Sequence, residues 1–361
     1  MKVSVVKCST YDEEKVYAAV KKSIDLLGGI DKFVKKGQKV LIKPNLLMAA
    51  KPNKHVTTHP AVVGAIVRLV NQCGATATIG DNPFGTKFDT LVDKTGMKKV
   101  ADRYGANLSS LYKKKRAHKQ FTLCGDVFDY DAVINVPKLK THVLTKFTGA
   151  VKNLYGLIFG MTKFKHHVKH KNPVNFSKNV LDLHHIFKDK IVLNIMDGIV
   201  GMDGNGPSGG NLRHTNIIMA SSDALCMDKV ACDLVSLDRV PLLQHATIPK
   251  ISVVGDKVKP IKFKSPNTYK RIMLFVTFQR HFMDRPVIVE KKCISCMQCI
   301  RACSVNTIVK VKKGKRTYPF IVDRKCIRCY CCHEHCPEKA ITLKKGKLRH
   351  LVRIKAWFHT T

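Results

Sequence analysis

A chain of 361 residues, 45% of them hydrophobic, is long enough for two or three domains and apolar enough to bury a core. Its longest candidate membrane segment, RIMLFVTFQRHFM at 271–283, is interrupted by Arg280 and His281 and falls short of the ~20 apolar residues that a spanning helix needs. Lysine and arginine total 64 against 26 acidic residues, a net charge of +38, which favours anionic partners over cationic ones.

The N-terminus opens directly as a strand, VSVVKC at 3–8. With no apolar leader before it, the chain is read as cytoplasmic. From Asp12 to Leu27 the residues Val16, Tyr17, Val20, Ile24 and Leu27 recur at helical spacing, and Gly28–Gly29 closes that helix. KVLIKPN at 39–45 is a second strand. A helix starts at Pro60, with Val63, Ile66, Val67 and Val70 on one face and Gly74 ending it. ATIGDNP supplies a third strand ending at Asp81, a helix follows around 86–104, and Ala132 to Val136 form a buried strand. Farther on come a helix from about Phe176 to Phe187, a strand KIVLNIMD running into a glycine-rich loop, a strand NIIMAS, a helix Asp223–Leu237 and a strand ISVVGD at 251–256. Strands alternating with helices of this length predict an α/β fold, a parallel or mixed sheet flanked by helices.

The expected organisation is an α/β domain over 1–256, a connector over 257–285, a small α+β ferredoxin-like domain over 286–345 and a basic tail over 346–361. The third of these rests on cysteine spacing. Nine of the 14 cysteines fall between 293 and 336. Cys293, Cys296, Cys299 and Cys303 form one C-x2-C-x2-C-x3-C run; Cys326, Cys329, Cys332 and Cys336, followed by Pro337, form a second. A cubane takes three thiolates from one tight loop, and in two-cluster ferredoxins the fourth Cys of each run ligates the other cluster. The pattern thus predicts two [4Fe–4S] clusters: one on Cys293, Cys296, Cys299 and Cys336, the other on Cys326, Cys329, Cys332 and Cys303. Cys331 is left over in this register, although an exchange with Cys332 stays open, and Ser304 stands where the first run would carry proline. Zinc ribbons need C-x2-C pairs but no third and fourth cysteine at these intervals, and a disulfide framework suits small secreted chains. Two such clusters point to a reducing, anaerobic cell. Residues 286–361 are also the most basic, with 18 Lys and Arg against 4 acidic residues, which suits an acidic electron carrier or redox partner protein.

Three further stretches fall at predicted strand ends, where ligands bind in open α/β sheets. KPNLL…TTHP presents Lys43, Asn45, Thr57, Thr58 and His59. PKLKTHVLTKFTGAVKNLYG presents Lys138, Lys140, Thr141, His142, Lys146 and Lys152. MDGIVGMDGNGPSGG presents Asp197, Asp203, Asn205 and Ser208 among six glycines. In an extended segment Lys138, Lys140 and His142 alternate to one side, an arrangement that suits an anionic small molecule. Lys140, His142, Lys152, His59, Asp197 and Asp203 are therefore the expected catalytic set, the lysines holding the substrate and His142 or an aspartate moving protons. The glycine-rich stretch matches neither nucleotide-binding fingerprint, so no flavin or nicotinamide signature is present. KHHVKH places His166 and His170 at i, i+4, a metal-ligand spacing on a helix, but surrounding lysines favour phosphate or carboxylate. The other cysteines, Cys8, Cys73, Cys124, Cys226 and Cys232, read as small buried apolar residues. Nucleic acid is the weaker partner reading, since no aromatic-rich basic stripe or RNA module accompanies the charge.

Taken together, KPNLL, TTHPAVV, PKLKTH, TGAVKNLYG and MDGIVGMDGNGPSGG resemble the family called domain of unknown function 362, over roughly residues 3–256. Members of that family often carry a C-terminal double-cubane ferredoxin domain. The resemblance implies an iron–sulfur protein of anaerobes and an oxidoreductase component. On this reading the chain is a ferredoxin-coupled oxidoreductase; the rival readings are a non-catalytic electron-relay or binding module and an RNA-associated iron–sulfur protein.

Overall fold

The computed structural model describes residues 1–82, 87–142, 145–160, 162–163, 166, 173–204, 206–208, 210–266, 285–301, 303, 305–314, 316–326, 332, 336, 338 and 340–344. The chain forms two compact units, Met1–Thr268 and Tyr269–Thr361.

The first unit is built on a mixed, mostly parallel sheet. Its strands are β1 (Lys2–Lys7), β2 (Lys39–Pro44), β3 (Thr76–Gly80), β4 (Asn107–Ser109), β7 (Ala132–Val136), β8 (Lys138–His142), β9 (Lys146–Thr148), β10 (Ile191–Asp203), β11 (Asn211–Ser221) and β12 (Ser252–Gly255), with a separate hairpin of β5 (Lys115–His118) and β6 (Phe121–Cys124). The order across the sheet is β12-β1-β11-β10-β7-β2-β3-β4, and β8 and β9 extend it by pairing β8 on β10. β10, β7, β2, β3 and β4 run parallel, whereas β11 lies antiparallel between β1 and β10. β2 sends the chain to β3 on one side, while its other neighbour, β7, sends it away towards β8 and β10. The strand order therefore reverses between β2 and β7, which is where an open α/β sheet has a crevice at its carboxyl edge.

Alternating side chains feed two cores, one on each face of the sheet. On β2, Leu41 joins one core and Val40 and Ile42 the other; on β7, Val133 joins the first and Ala132, Ile134 and Val136 the second. The second core is covered by α1 (Glu13–Asp25) and α2 (Pro60–Gln72), started by Asp12 accepting from Lys15 N at 3.0 Å and His59 Nδ1 accepting from Ala61 N at 3.2 Å. Helices Pro173–Phe187 and Ala224–Leu234 cover the first core.

Two expectations are corrected. The single helix expected around 86–104 is two, α3 (Phe88–Lys94) and α4 (Met97–Tyr104), because Gly96 between them adopts φ +77°, a conformation that ends a helix. Half of the expected glycine-rich loop is strand: β10 continues through Gly198 and Gly201 to Asp203, paired with β11 across an irregularity between Gly198 and Val200. Residues from 257 onward also begin as part of the first unit. Ile261 N donates to Leu234 O at 2.8 Å, Phe263 N to Val235 O at 3.0 Å, and the Phe263 ring is buried.

The second unit is small. β13 (Arg285–Ile288) pairs antiparallel with β16 (Ile341–Lys344), and β14 (Ile308–Lys313) with β15 (Arg316–Ile321). Among the described residues, its buried hydrophobic cluster is Cys299, Ile308, Cys332 and Ile341, with Ile288, Ile300, Cys303, Ile321 and Cys336 packed against them.

Candidate functional site

A cleft of about 330 Å³ opens in the first unit at the carboxyl edge of β2 and β3. Its charged lining is Lys43, Lys140, Lys152 and Lys163 against one carboxylate, Asp81. Each lysine comes from a different element: Lys43 from β2, Lys140 from β8, Lys152 from α5 (Ala150–Asn153), and Lys163 from the segment after Gly160. Lys43 and Lys140 are 0% and 1% exposed, a rare position for a lysine unless its ammonium is compensated.

The compensation is uneven. Lys43 Nζ pairs with Asp81 Oδ1 at 2.9 Å and donates to Pro44 O at 3.1 Å. The Asp81 carboxylate also accepts from Leu46 N and Asn82 N, both at 2.9 Å. Among the described residues, Lys140 Nζ reaches neutral oxygens alone, Asn45 Oδ1 at 2.7 Å and Val56 O at 2.6 Å. Lys163 Nζ donates to Asn82 Oδ1 at 3.2 Å. Lys152 Nζ has no hydrogen-bond or ion-pair partner among the described residues. Burial, followed by the charges of Lys152 and Lys138, pushes Lys140 well below its ordinary value; burial pushes Lys152 and Lys163 down to about 8.

The amides around the cleft are tied to one another in a chain. Lys140 donates to Asn45, Asn45 Nδ2 to Asn153 Oδ1 at 3.0 Å, Asn153 Nδ2 to Asn135 Oδ1 at 2.8 Å, Asn135 Nδ2 to Asn194 Oδ1 at 2.8 Å, and Asn194 Nδ2 to Ser221 O at 3.2 Å. Every link runs in the same sense, so the chain fixes each amide's orientation and turns the Asn45 carbonyl towards Lys140. Gly156 allows the closest approach. A Cβ there would lie 2.5 Å from Asp81 Oδ1 and 2.6 Å from Lys43 Nζ. Asp228, from helix Ala224–Leu234, accepts from Ala150 N at 2.6 Å and Val151 N at 3.0 Å, anchoring the turn that presents Lys152 and Asn153. Burial raises its carboxyl to about 7.

The structure divides the six expected catalytic residues. Lys140, His142 and Lys152 line the cleft. Asp197 and His59 belong to a different cluster. There Asp197 Oδ2 accepts from Lys138 Nζ at 2.8 Å and His59 N at 2.9 Å, and Oδ1 from Tyr11 OH at 2.8 Å. Burial alone would raise the Asp197 carboxyl, but Lys138 and the His59 amide outweigh it and hold it below its ordinary range. The His59 ring stacks on Tyr11 with centroids 3.7 Å apart, and burial pushes it down to about 4. Asp203 lies in neither place; it holds the end of the β10–β11 hairpin through Asn211 Nδ2 at 3.3 Å, Lys264 N at 3.0 Å and Arg213 Nε at 3.5 Å. Sequence reasoning missed Tyr11, Lys163 and Asp228 as members of these clusters. A tyrosine just before α1 and an aspartate within a helix carry no spacing that would single them out. His170 and Asn205 lie outside the described residues; His166 stacks on Phe121 at 5.0 Å.

In the second unit, Cys293, Cys296, Cys299 and Cys336 line one cavity with Ile288, Ile294, Met297, Pro319 and Ile341. Ser295 and Met297 take φ +57° and +59°, the left-handed turns that curl the loop so that three cysteines face inwards. Sulfur also receives amide donors, Ala340 N to Cys336 Sγ at 3.2 Å and Thr307 N to Cys303 Sγ at 3.3 Å. A four-thiol cradle with mostly apolar walls, Glu338 its one charged lining residue among those described, and an N–H···S contact at Cys336 fits a [4Fe–4S] cubane. Cys329 and Cys331 lie outside the described residues.

An α/β unit with a lysine-lined crevice, joined in one chain to a cysteine-lined 4Fe-4S domain, defines an iron–sulfur protein. The model of the domain of unknown function (DUF362) matches residues 40–233, and that of the 4Fe-4S dicluster domain matches residues 270–341. The chain belongs to the DUF362 family. It is 30% identical over 263 residues, 69% of its own length and 77% of the relative's, to the thylakoid-associated protein sll1697 of Synechocystis sp. (strain ATCC 27184 / PCC 6803 / Kazusa). Among solved structures it is similar to the lactate racemase apoprotein from Thermoanaerobacterium thermosaccharolyticum, at a TM-score of 0.43 and 15% identity, covering 64% of this chain and 57% of that one. No helix among the described residues is long and apolar enough to cross a membrane.

Proposed function

We propose that this chain is a ferredoxin-coupled oxidoreductase that binds an anionic substrate in the lysine cleft. The observation that carries the reading is the excess of ammonium groups over carboxylates in a crevice at the strand-order reversal, four lysines to one aspartate. Such a charge excess, held in a partly dehydrated site, is stabilised by a bound anion.

On this reading the 4Fe-4S domain holds two clusters, the first on Cys293, Cys296, Cys299 and Cys336 and the second on Cys326, Cys329, Cys332 and Cys303; the cysteine spacing is what supports it. When bound, such clusters supply one-electron transfer at potentials set by cluster type, charge and hydrogen bonds to sulfur. The chain's own residues do the rest. Lys140 and Lys152 neutralise and orient the substrate anion. Lys152 Nζ, poised near pH 8, gives or takes the proton that accompanies electron transfer. Asn45 holds Lys140 in place. The basic 286–361 region attracts an acidic electron carrier, and thiolate-held iron points to a reducing compartment such as the cytoplasm.

The test is anaerobic purification followed by iron analysis and mass spectrometry of released small molecules. The expected result is about eight irons per chain and a stoichiometric anion that is absent from the Lys140→Ala/His142→Ala variant. Cys299→Ala should lose about four irons and keep the rest. A wild-type chain with full iron that neither retains nor saturably binds any anion would remove the substrate reading.

A further inference from the structure

The cleft's lysines fall into two groups with different local charge. At the end of β3, Lys43 and Lys163 share one neighbourhood: Lys43 pairs with Asp81 at 2.9 Å, and Lys163 bonds the adjacent Asn82 at 3.2 Å. Asp81 and Lys43 are also the charges that act on Lys163 within the cleft. That group carries two ammoniums and one carboxylate. Lys140 and Lys152 form the other group, on β8 and α5, and the charge of Lys152 weighs directly on Lys140. Lys140 is held by Asn45 and Val56, both neutral; Asp81 also acts on it from across the cleft, but Asp81 pairs with Lys43 and no carboxylate among the described residues pairs with Lys140 or Lys152.

The hydrogen-bond inventory narrows the ligand further. Asn45, Asn82 and Asn153 each accept at the carbonyl and donate at the amide: Asn45 between Lys140 and Asn153, Asn82 between Lys163 and Leu111 O, Asn153 between Asn45 and both Asn135 and Lys43 O. The Tyr155 hydroxyl donates to Lys163 O at 2.5 Å. What remains for a ligand is N–H: one amide N–H each on Asn45 and Asn82, and the ammonium donors. An ammonium has three such donors; Lys140 spends two and Lys163 one within the described residues, while Lys152 spends none. The site therefore offers donors to acceptor groups at two places. Leu46, Leu47 and Pro207 supply apolar wall, and about 330 Å³ is small-metabolite size.

Resting on the reading of the cleft as a substrate site, we infer that the ligand is a small dicarboxylate, one carboxylate held by Lys140 and Lys152 and the other by Lys163 beside the Lys43–Asp81 pair. A single monoanion would leave one of the two groups uncompensated. A phosphate dianion would concentrate its charge on one of them.

The probes are acetate, succinate, glutarate and inorganic phosphate, titrated calorimetrically at pH 7 and constant ionic strength into the anaerobic, cluster-loaded chain. Succinate or glutarate should bind at least about tenfold more tightly than acetate, the value of one further charge-assisted contact. Lys163→Met should reduce the dicarboxylate to roughly the acetate level and leave acetate within about twofold, whereas Lys152→Met should weaken both by about tenfold or more. Unchanged iron content and melting cooperativity would show that both variants are folded. Equal binding of acetate and succinate, or equal loss of both in Lys163→Met, overturns the two-point ligand and leaves the anion site standing. Phosphate that matches succinate and ignores Lys163→Met also overturns it. Saturable binding of none of the four probes overturns it too, and release of a native anion that is not a carboxylate would then separate that failure from failure of the substrate reading.

Discussion

Lys138 and Lys140 stand two residues apart on one strand, both 1% exposed, and their surroundings differ completely. Lys138 meets a carboxylate and a tyrosine hydroxyl, at 2.8 and 2.7 Å; Lys140 meets an amide oxygen and a backbone carbonyl. Strand register creates the difference. β10 runs beside β8 with Asp197 opposite Lys138, but its irregular stretch puts Met202, not a carboxylate, opposite Lys140. The comparison teaches how to read a buried lysine. One whose charge the protein cancels is part of the scaffold. One whose charge the protein leaves open is, on the proposed reading, a site for an anion.

Breaking the cancelled pair should have the largest effect. Asp197→Asn strands the Lys138 ammonium and removes an acceptor shared with Tyr11 and His59, so it should cost about 3–5 kcal/mol in chemical denaturation, as for other broken buried pairs. Lys140→Met, which removes an unpaired charge, should cost far less; comparable losses would collapse the distinction. The same cluster sets an acid limit. His59 is pushed down to about 4, so the unfolded chain binds its proton first. The stability it contributes is complete above the ordinary histidine value and drains away as pH falls from there through 4, a loss that pH-dependent melts should record and His59→Gln should reduce.

Next comes Gly156→Ala. Its Cβ would collide with the Lys43–Asp81 pair, which should cost about 1–3 kcal/mol and abolish anion binding while iron content stays unchanged. Loss of iron along with stability would mean that the substitution acts beyond the cleft.

A smaller effect sharpens the open side of the comparison. Lys152 and Lys163 titrate near 8 when folded, below an unfolded lysine, so above pH 8 the unfolded chain holds more protons and ligand-free stability should rise with pH until the unfolded lysines titrate as well. Lys152→Met should flatten that rise and stabilise the ligand-free chain at pH 7 by on the order of 1 kcal/mol. The smallest effect is on affinity: anion binding should weaken about tenfold per pH unit above 8 for each proton that must be retained, measured by calorimetry at fixed ionic strength. A flat profile between pH 7 and 9 would show that neither lysine grips the ligand.

Much of the fold was legible because periodicity and punctuation are local. Val63, Ile66, Val67 and Val70 lie on one face of α2 whatever surrounds them, and Pro60 fixes its start. The 86–104 stretch was misread because helical spacing on both sides of Gly96 hides one left-handed residue. The cleft was legible in part: Lys140, His142 and Lys152 belong to one sequence stretch that the sheet edge gathers, whereas Lys163 and Asp81 reach them only through packing.

By itself the sequence determined the iron–sulfur domain, since three cysteines on one tight loop with a fourth at a fixed interval already encode the ligand geometry. It also determined the α/β class, through the alternation of strand and helix patterns. Only the tertiary structure decided which charges meet. Asp197 looked like a partner for the substrate and is the partner of Lys138, because pairing across strands depends on register. Register is set by the packing of both sheet faces, not by any residue's own neighbours in the chain.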